Sequence, residues 1–161
     1  MSRIGTRLAT LGLDLPPPLS PPRDMVLPFP WVNVRGDRAF VSGHSAQTMD
    51  GRLAGPFGQL GGAVTVDQGY EAARLTGLAI LGSLARELGD LDRITGWGRV
   101  FGMVNSAPGF TDQPAVINGF SDLVLDVFGP EIGRHARSAV GMAALPAGFC
   151  VEIEAEVLIR V

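Results

Sequence analysis

The order of strand and helix patterns along this chain predicts an α+β domain in which two helices cover one face of a mixed sheet. Two long segments carry apolar side chains at helical spacing, and short β-type runs precede, separate and follow them. The chain has 161 residues, of which 46% are hydrophobic and 18% are charged. That size and composition suit one compact domain with a sizeable core.

The first part of the chain predicts an N-terminal arm over residues 1–30, followed by a single domain over residues 31–161. Ile4, Leu8 and Leu11 have a helical spacing, which predicts one or two helical turns near the start. Seven of the twelve prolines then follow before the domain begins. A segment of this composition is expected to run extended along the surface.

The domain begins with a predicted hairpin, because Gly36-Asp37 separates two β-type runs. The glycine-rich stretch 47–62 lacks periodicity and predicts a long loop. A helix is predicted over 66–88, with one apolar stripe. Gly77 and Gly82 lie inside this helix, where glycine lowers stability, and they indicate close packing on the sheet.

A strand is predicted over 94–105, and strict alternation assigns one face of it to Trp97, Arg99, Phe101 and Met103. The second helix is predicted to begin near Asp112 and to stop at Gly129-Pro130, since proline ends a regular helix.

The last two strands are predicted over 136–143 and 151–161, joined as a hairpin with Arg137 on one arm and Glu152 on the other. Alternation directs Glu152, Glu154 and Glu156 to one face of the final strand. A guanidinium binds a carboxylate through two parallel hydrogen bonds, and a carboxylate can activate water. The pair therefore suits a small anionic substrate that reacts with water.

Composition excludes several function classes. The formal net charge is −3 and the thirteen cations are all arginine, which disfavours nucleic acid as a partner and excludes a lysine Schiff base or a P-loop. Two histidines without a cysteine pair predict no metal site. A single cysteine suits a reducing cytoplasm. No apolar run is long enough for a membrane span, so no membrane association is expected.

Several segments together resemble the Rid/YjgF family of reactive intermediate deaminases, once described as L-PSP-type endoribonucleases. The likeness covers nearly the whole chain, including its proline-rich arm. The segments are Ser42-Gly43 at a strand end, Asn118 on the second helix, His135 to Gly141, and Val151 to Glu154. The resemblance implies a chorismate-mutase-like fold and a homotrimer whose three sheets form a central barrel, with clefts between neighbouring subunits.

The resemblance also implies a reaction and roles for single residues. The reaction is hydrolysis of enamine or imine intermediates of the 2-aminoacrylate type to 2-oxo acids and ammonia, with no cofactor. Arg137 would bind the substrate carboxylate with the backbone N–H of Ala139, and Glu152 would position or activate water. The remaining residues expected to line the pocket are Ser42, Asn118 and His44, the last standing where the family has glutamine.

Two departures from the archetypal members keep other functions open. Those members have a cysteine two residues after the arginine, where this chain has Ala139, and a tyrosine near the first strand, where this chain has Phe29, Pro30 and Trp31. A non-catalytic trimeric module that binds small carboxylates is the main alternative, and a ribonuclease or translation inhibitor is a further one. Arg137 could also serve only as an interface ion pair.

Overall fold

The computed structural model of the protein describes residues 2–20 and 26–161. One five-stranded sheet runs through it in the spatial order β1-β2-β5-β3-β4. Only β3 and β4 are parallel, and the other neighbours are antiparallel. The strands are β1 (Val32–Arg35), β2 (Arg38–His44), β3 (Ile94–Asn105), β4 (Ala136–Met142) and β5 (Val151–Ile159).

Two long helices, α2 (Val66–Leu88) and α3 (Gln113–Gly133), pack on each other and on one face of this sheet. The predicted α+β arrangement is therefore confirmed. A capping box between Thr65 and Gln68 begins α2. Regular helical geometry in α3 breaks at Gly129, where φ is 76° and ψ is 172°, as the sequence predicted, but the chain then makes one further turn to Gly133.

The two glycines inside α2 do not pack on the sheet, so that part of the prediction is wrong. A Cβ on Gly77 would lie 2.6 Å from the Leu123 side chain on α3, and a Cβ on Gly82 would lie 2.9 Å from the Pro16 carbonyl oxygen. These positions instead let α3 and the N-terminal arm approach α2 closely.

The arm is attached to the domain at several points. Its helix, α1 (Arg3–Thr10), buries Ile4 and Leu8 in the common core, and the backbone N–H of Ile4 donates to Asp92. Further along, the Arg86 guanidinium donates to the Pro16 carbonyl at 3.0 Å. The prediction of an extended proline segment also covered Pro21 and Pro22, which lie outside the described residues.

A β-bulge changes the faces of β3. Trp97 pairs with Val157 and Arg99 pairs with Glu156, so Gly98 is an extra residue on β3. Trp97 therefore points into the core, where it is 3% exposed and contacts Phe120 at 5.6 Å between ring centroids. The expectation that Trp97 shares a face with Arg99 is wrong, because strict alternation fails at the bulge.

The predicted hairpin between the last two strands is also wrong, because β3 lies between β4 and β5. The crossover through α3 returns the chain parallel to β3 on one side, whereas β5 pairs antiparallel to β3 on its other side. Arg137 pairs with Val100 and Glu152 with Met103. The two residues are thus two strands apart, about 10 Å across the sheet.

The sheet face away from the helices is not covered by any described part of the chain. It carries partly exposed apolar side chains between charged ones, including the Arg38–Glu156 ion pair at 2.7 Å. Three large apolar residues on this face are more than one third exposed, namely Phe40, Val140 and Leu158.

Candidate functional site

The residues predicted to form the site fall into two groups on opposite faces of the sheet. Val151 and Ile153 point into the helix-covered core, so Glu152 between them projects from the uncovered face. Arg137 projects from the helix-covered face and contacts α3. A single chain therefore does not bring Arg137 and Glu152 to one substrate.

Glu152 lies against the backbone at the end of β2. A Cβ added to Gly43 would lie 2.1 Å from Glu152 Oε1 and 3.0 Å from its Cδ, so only glycine leaves room for this carboxylate. Burial raises the pKa of the Glu152 carboxyl above its ordinary 4.5, and the charge of Glu154 adds to the effect. A carboxyl with a raised pKa is suited to exchange protons with a bound substrate near neutral pH.

A β-bulge creates this close approach. Val41 pairs with Ala155 but His44 pairs with Ile153, so β2 has one extra residue at Ser42-Gly43. The bulge directs His44 into the core while Gly43 lies under the Glu152 carboxylate. The family resemblance pointed to Ser42 as a site residue, but the residue that lies against Glu152 is the next one, Gly43.

His44 is placed beside the cleft but has no free ring nitrogen. It is 2% exposed, its Nδ1 donates to the Ser42 carbonyl at 2.7 Å, and its Nε2 accepts from the Ser83 hydroxyl at 2.9 Å. Burial lowers its pKa to about 4, and the charge of Arg86 acts in the same direction. His44 is therefore neutral at pH 7, and it holds β2 to α2.

The Ser42 hydroxyl is hydrogen-bonded to the segment before β1. The hydroxyl donates to the Pro30 carbonyl at 2.8 Å, and the Ser42 N–H donates to the Trp31 carbonyl at 3.0 Å. Both bonds hold the segment before β1 beside the end of β2. In this arrangement Ser42 fixes the wall of the cleft.

Glu152 faces a cleft of about 200 Å³. Phe29 and Trp31 form one side, with ring centroids 5.6 Å apart in an edge-to-face arrangement. The arm and the loop after β2 contribute further apolar wall. The complete lining is Leu19, Phe29, Trp31, Gly43, His44, Ser45, Gln47, Leu53, Pro146, Phe149 and Glu152.

Arg137 is held by neutral oxygen atoms. Its Nη1 donates to Asn118 Oδ1 at 2.9 Å and to Ser121 Oγ at 3.0 Å, and its Nη2 donates weakly to the Pro114 carbonyl at 3.4 Å. Burial lowers its pKa, with the charge of Asp122 opposing that effect. Among the described residues no carboxylate lies within ion-pair distance of this guanidinium, so its charge is available to an anionic ligand.

Ser121 and His135 support Arg137, a role that was not predicted from the sequence. His135 Nδ1 donates to the Gly133 carbonyl at 2.7 Å, so its Nε2 accepts the Ser121 hydroxyl proton at 2.9 Å. Ser121 Oγ then accepts from Arg137. The spacing of Asn118 and Ser121, one turn apart on α3, and the presence of His135 two residues before Arg137 could have indicated this group.

Ala139 follows Arg137 on the same face of β4 and packs partly against the core. It pairs with Gly102, whose Cβ would meet the Ile117 side chain of α3 at 2.6 Å. The absent side chain at Gly102 therefore brings α3, with Asn118, close to β4. This packing sets the position of Asn118 relative to Arg137.

Residues 2–20 and 26–161 show no features of a metal centre, a membrane-spanning helix or a reactive cysteine. No group of histidine, cysteine and acidic residues there could hold a metal ion. No helix in these segments is long and apolar enough to cross a membrane. Cys150 is buried, and burial raises the pKa of its thiol to about 11, so it is not a nucleophile at neutral pH.

Comparison with known proteins gives consistent matches over the chain. Protein TCP17 of Trypanosoma cruzi is 42% identical over 153 residues, covering 95% of this chain and 92% of its own length. Atu1372 of Agrobacterium tumefaciens, a solved structure, has a TM-score of 0.85 and 38% identity, covering 98% of this chain and 92% of its own. A structure from Shewanella oneidensis, described as a putative endoribonuclease, has a TM-score of 0.88 and 29% identity, covering 97% and 99%.

A model of the family described as "YjgF/chorismate mutase-like, putative endoribonuclease" matches residues 6–153. This range includes β1 to β4, all of α2 and α3, and the position of Glu152. The fold and the relatives agree with this match, and the chain belongs to the YjgF/chorismate-mutase-like family.

Proposed function

We propose that this protein is an enamine/imine deaminase that hydrolyses reactive imino acids to 2-oxo acids and ammonia. The observation that carries the proposal is the Arg137 guanidinium, which is fixed by Asn118 and Ser121 yet not neutralised by any described carboxylate. Such a cation suits the carboxylate of an amino-acid-derived substrate, since the two groups bind through parallel hydrogen bonds.

The acid–base step is assigned to Glu152. As water attacks the iminium carbon, the carboxylate takes one proton from the water and a tetrahedral carbinolamine forms. The proton then passes to nitrogen, the C–N bond breaks, and loss of the hydroxyl proton leaves a 2-oxo acid and an ammonium ion. An enamine such as 2-aminoacrylate first gains a proton on its methylene carbon to become the iminium. The raised pKa of Glu152 supports both directions of transfer.

A complete site requires a second copy of the chain, because Glu152 and Arg137 project from opposite faces. We propose a homotrimer with a central barrel, in which Glu152 of one subunit meets Arg137 of the next. The uncovered sheet face with Phe40, Val140 and Leu158 supports this assembly, since burying it removes exposed apolar surface from water. The location proposed is the cytoplasm, where a single thiol stays reduced.

A non-catalytic trimeric module that binds small carboxylates is the second candidate. Ala139 and Trp31 favour it, because neither supplies the thiol or the phenol found in archetypal members. A ribonuclease is less favoured, since the formal net charge of −3 opposes binding to a polyanion.

The test is imine hydrolysis measured with freshly generated imino acids, made by an amino acid oxidase and followed by trapping of the remaining imine with semicarbazide. We expect acceleration over buffer, with a loss of about 10²-fold or more in Arg137→Ala and in Glu152→Gln. Arg74→Ala is the matched control, because Arg74 only makes an exposed 3.7 Å pair with Glu71 on α2.

Several results would contradict the proposal. Full activity in Arg137→Ala would remove the role of the guanidinium. Binding of 2-oxo acids without turnover of any imine would favour the non-catalytic module. A light-scattering mass equal to the 16.9 kDa monomer would remove the intersubunit site.

A further inference from the structure

We propose that the cleft beside Glu152 receives the substrate side chain and selects imino acids whose side chains are aromatic or bulky and aliphatic. The inference rests on the proposed function, and it adds a substrate class to it. It follows from the walls, the volume and the charge of this cleft, each of which is a property of one chain.

The walls form an aromatic box. Phe29 packs edge-on against Trp31 at 5.6 Å, and Trp31 packs against the His44 ring at 4.8 Å with an interplanar angle of 55°. Phe149 and Pro146, in the turn before β5, also line the cleft. Aromatic rings favour edge-to-face and offset contacts with another ring, so a phenyl group entering here finds partners on both sides.

The volume of the cleft suits a substrate side chain with an aromatic ring better than one that is a methyl group. A cavity of about 150 Å³ lined by apolar side chains binds benzene. The cleft beside Glu152 has about 200 Å³, enough for a phenyl ring and the carbon atoms that join it to the imine. The methylene of 2-aminoacrylate would leave most of this space to water, so the apolar walls would contribute little to its binding.

Few polar side chains line the cleft, and two of them are engaged in hydrogen bonds with the surrounding protein. Both ring nitrogens of His44 are hydrogen-bonded, and the Ser45 hydroxyl donates to the Val151 carbonyl at 3.0 Å. Oε1 of Gln47, which is 6% exposed, has no hydrogen-bond partner among the described residues. The Gln47 amide, the Trp31 indole N–H and the Glu152 carboxylate are the polar groups left for a substrate, while most of the lining is apolar, so a strongly polar side chain is poorly matched.

Charge excludes acidic side chains as well. Glu152 is the charged residue that lines the cleft, and it would repel a second substrate carboxylate. The Arg86 guanidinium does not line this cleft; it lines a separate pocket with Glu87, so it is not placed to bind a carboxylate in the cleft. Imines derived from aspartate or glutamate are therefore poor substrates.

The experiment compares kcat/KM for imines generated from alanine, leucine, phenylalanine and glutamate. We expect phenylalanine- and leucine-derived imines to exceed the alanine-derived imine by about 10- to 100-fold, which is the factor that burial of such a side chain provides. The glutamate-derived imine is expected to be the poorest. Leu53→Ala should reduce the preference for the large substrates while it leaves the alanine-derived imine nearly unchanged.

Trp31→Ala should abolish the preference. It also removes the contact with His44, so Leu53→Ala serves as the milder variant, and thermal melting establishes that each is folded. Met49→Ala is the control, since Met49 lies on the same loop as Leu53, is 57% exposed and does not line the cleft. It should keep the wild-type order of substrates.

Calorimetry with phenylpyruvate and pyruvate separates the inference from the proposed function. Hydrolysis of the alanine-derived imine as fast as that of the phenylalanine-derived one overturns the inference and leaves the deaminase intact. If no imine is turned over, the deaminase fails, and tighter binding of phenylpyruvate than of pyruvate still supports the selective cleft. Equal binding of the two acids overturns the inference in that case.

Discussion

Replacing Gly43 by alanine tests the position of Glu152 without touching any ionisable group. The added Cβ would lie 2.1 Å from Oε1, whereas ordinary contact begins at 3.4 Å, so the carboxylate must move by more than 1 Å. A displacement of about 1 Å from a productive geometry costs on the order of 10²-fold in rate. We therefore expect kcat/KM for imine hydrolysis to fall by about that factor.

The fold itself should tolerate this change. Gly43 does not have a positive φ, and its new neighbour is the movable end of a half-buried side chain. The free energy of unfolding, measured by urea denaturation, should be unchanged or slightly higher, because alanine restricts the unfolded chain. Gly69→Ala provides the contrast: its Cβ would meet Leu60 at 2.7 Å and Val116 at 3.0 Å in the core, so it should lose stability instead.

A variant with a shorter acidic side chain at position 152 provides the decisive comparison. In Glu152→Asp the carboxylate is withdrawn from Gly43, so adding Gly43→Ala to that variant should cost little beyond the loss in Glu152→Asp alone. A folded Gly43→Ala protein with wild-type kcat/KM would refute the reasoning. So would a double variant in which the two losses simply multiply.

Three further predictions concern stability, pH and Arg137. Burial lowers the pKa of His44 from 6.5 to about 4, so below pH 6.5 the unfolded chain takes up a proton that the folded chain excludes. Urea denaturation should therefore show about 3 kcal/mol of stability lost between pH 6.5 and 4, and His44→Gln should remove this part of the pH dependence of stability. Because the pKa of Glu152 is raised in the folded protein, the folded chain keeps this proton at a pH where the unfolded chain has lost it, and stability falls as pH rises from 4.5 through the raised pKa. Glu152→Gln should therefore melt at a higher temperature than wild type at pH 7 while losing activity. An unchanged melting temperature would contradict the burial of the Glu152 charge. Ser121→Ala removes one acceptor from Arg137 and should weaken pyruvate binding about 5- to 10-fold by calorimetry, with no effect if the serine does not position the guanidinium.

Local patterns were sufficient for most secondary structure. The helix over 66–88 and the strand over 94–105 have the predicted bounds, because capping residues and apolar periodicity are local signals. Trp97 was assigned to the wrong face because an alternation argument assumes that no residue is inserted, and the bulge at Gly98 inserts one. The same limitation concealed the bulge that places Gly43 beneath Glu152.

The pairing of the strands was harder to predict from the sequence. Arg137 and Glu152 are close in sequence, which suggested adjacent strands, but the parallel crossover through α3 brings β4 to the far side of β3. Ser121 was not identified, because its role depends on a hydrogen bond to Arg137 that joins α3 to β4. Gly102 allows α3 to lie close to the sheet, but this role can be recognised only once Ile117 is known to lie opposite it.

The sequence by itself determined the family, the α+β class and most helices and strands, since these depend on residue type and local spacing, and it nominated Arg137 and Glu152 as site residues. Tertiary structure decided which strands pair and which face each side chain takes, and it showed an aromatic cleft and a guanidinium held by Asn118 and Ser121. The physical reason is that these features arise from contacts between residues distant in the chain, whose relative positions are set by packing of the whole core.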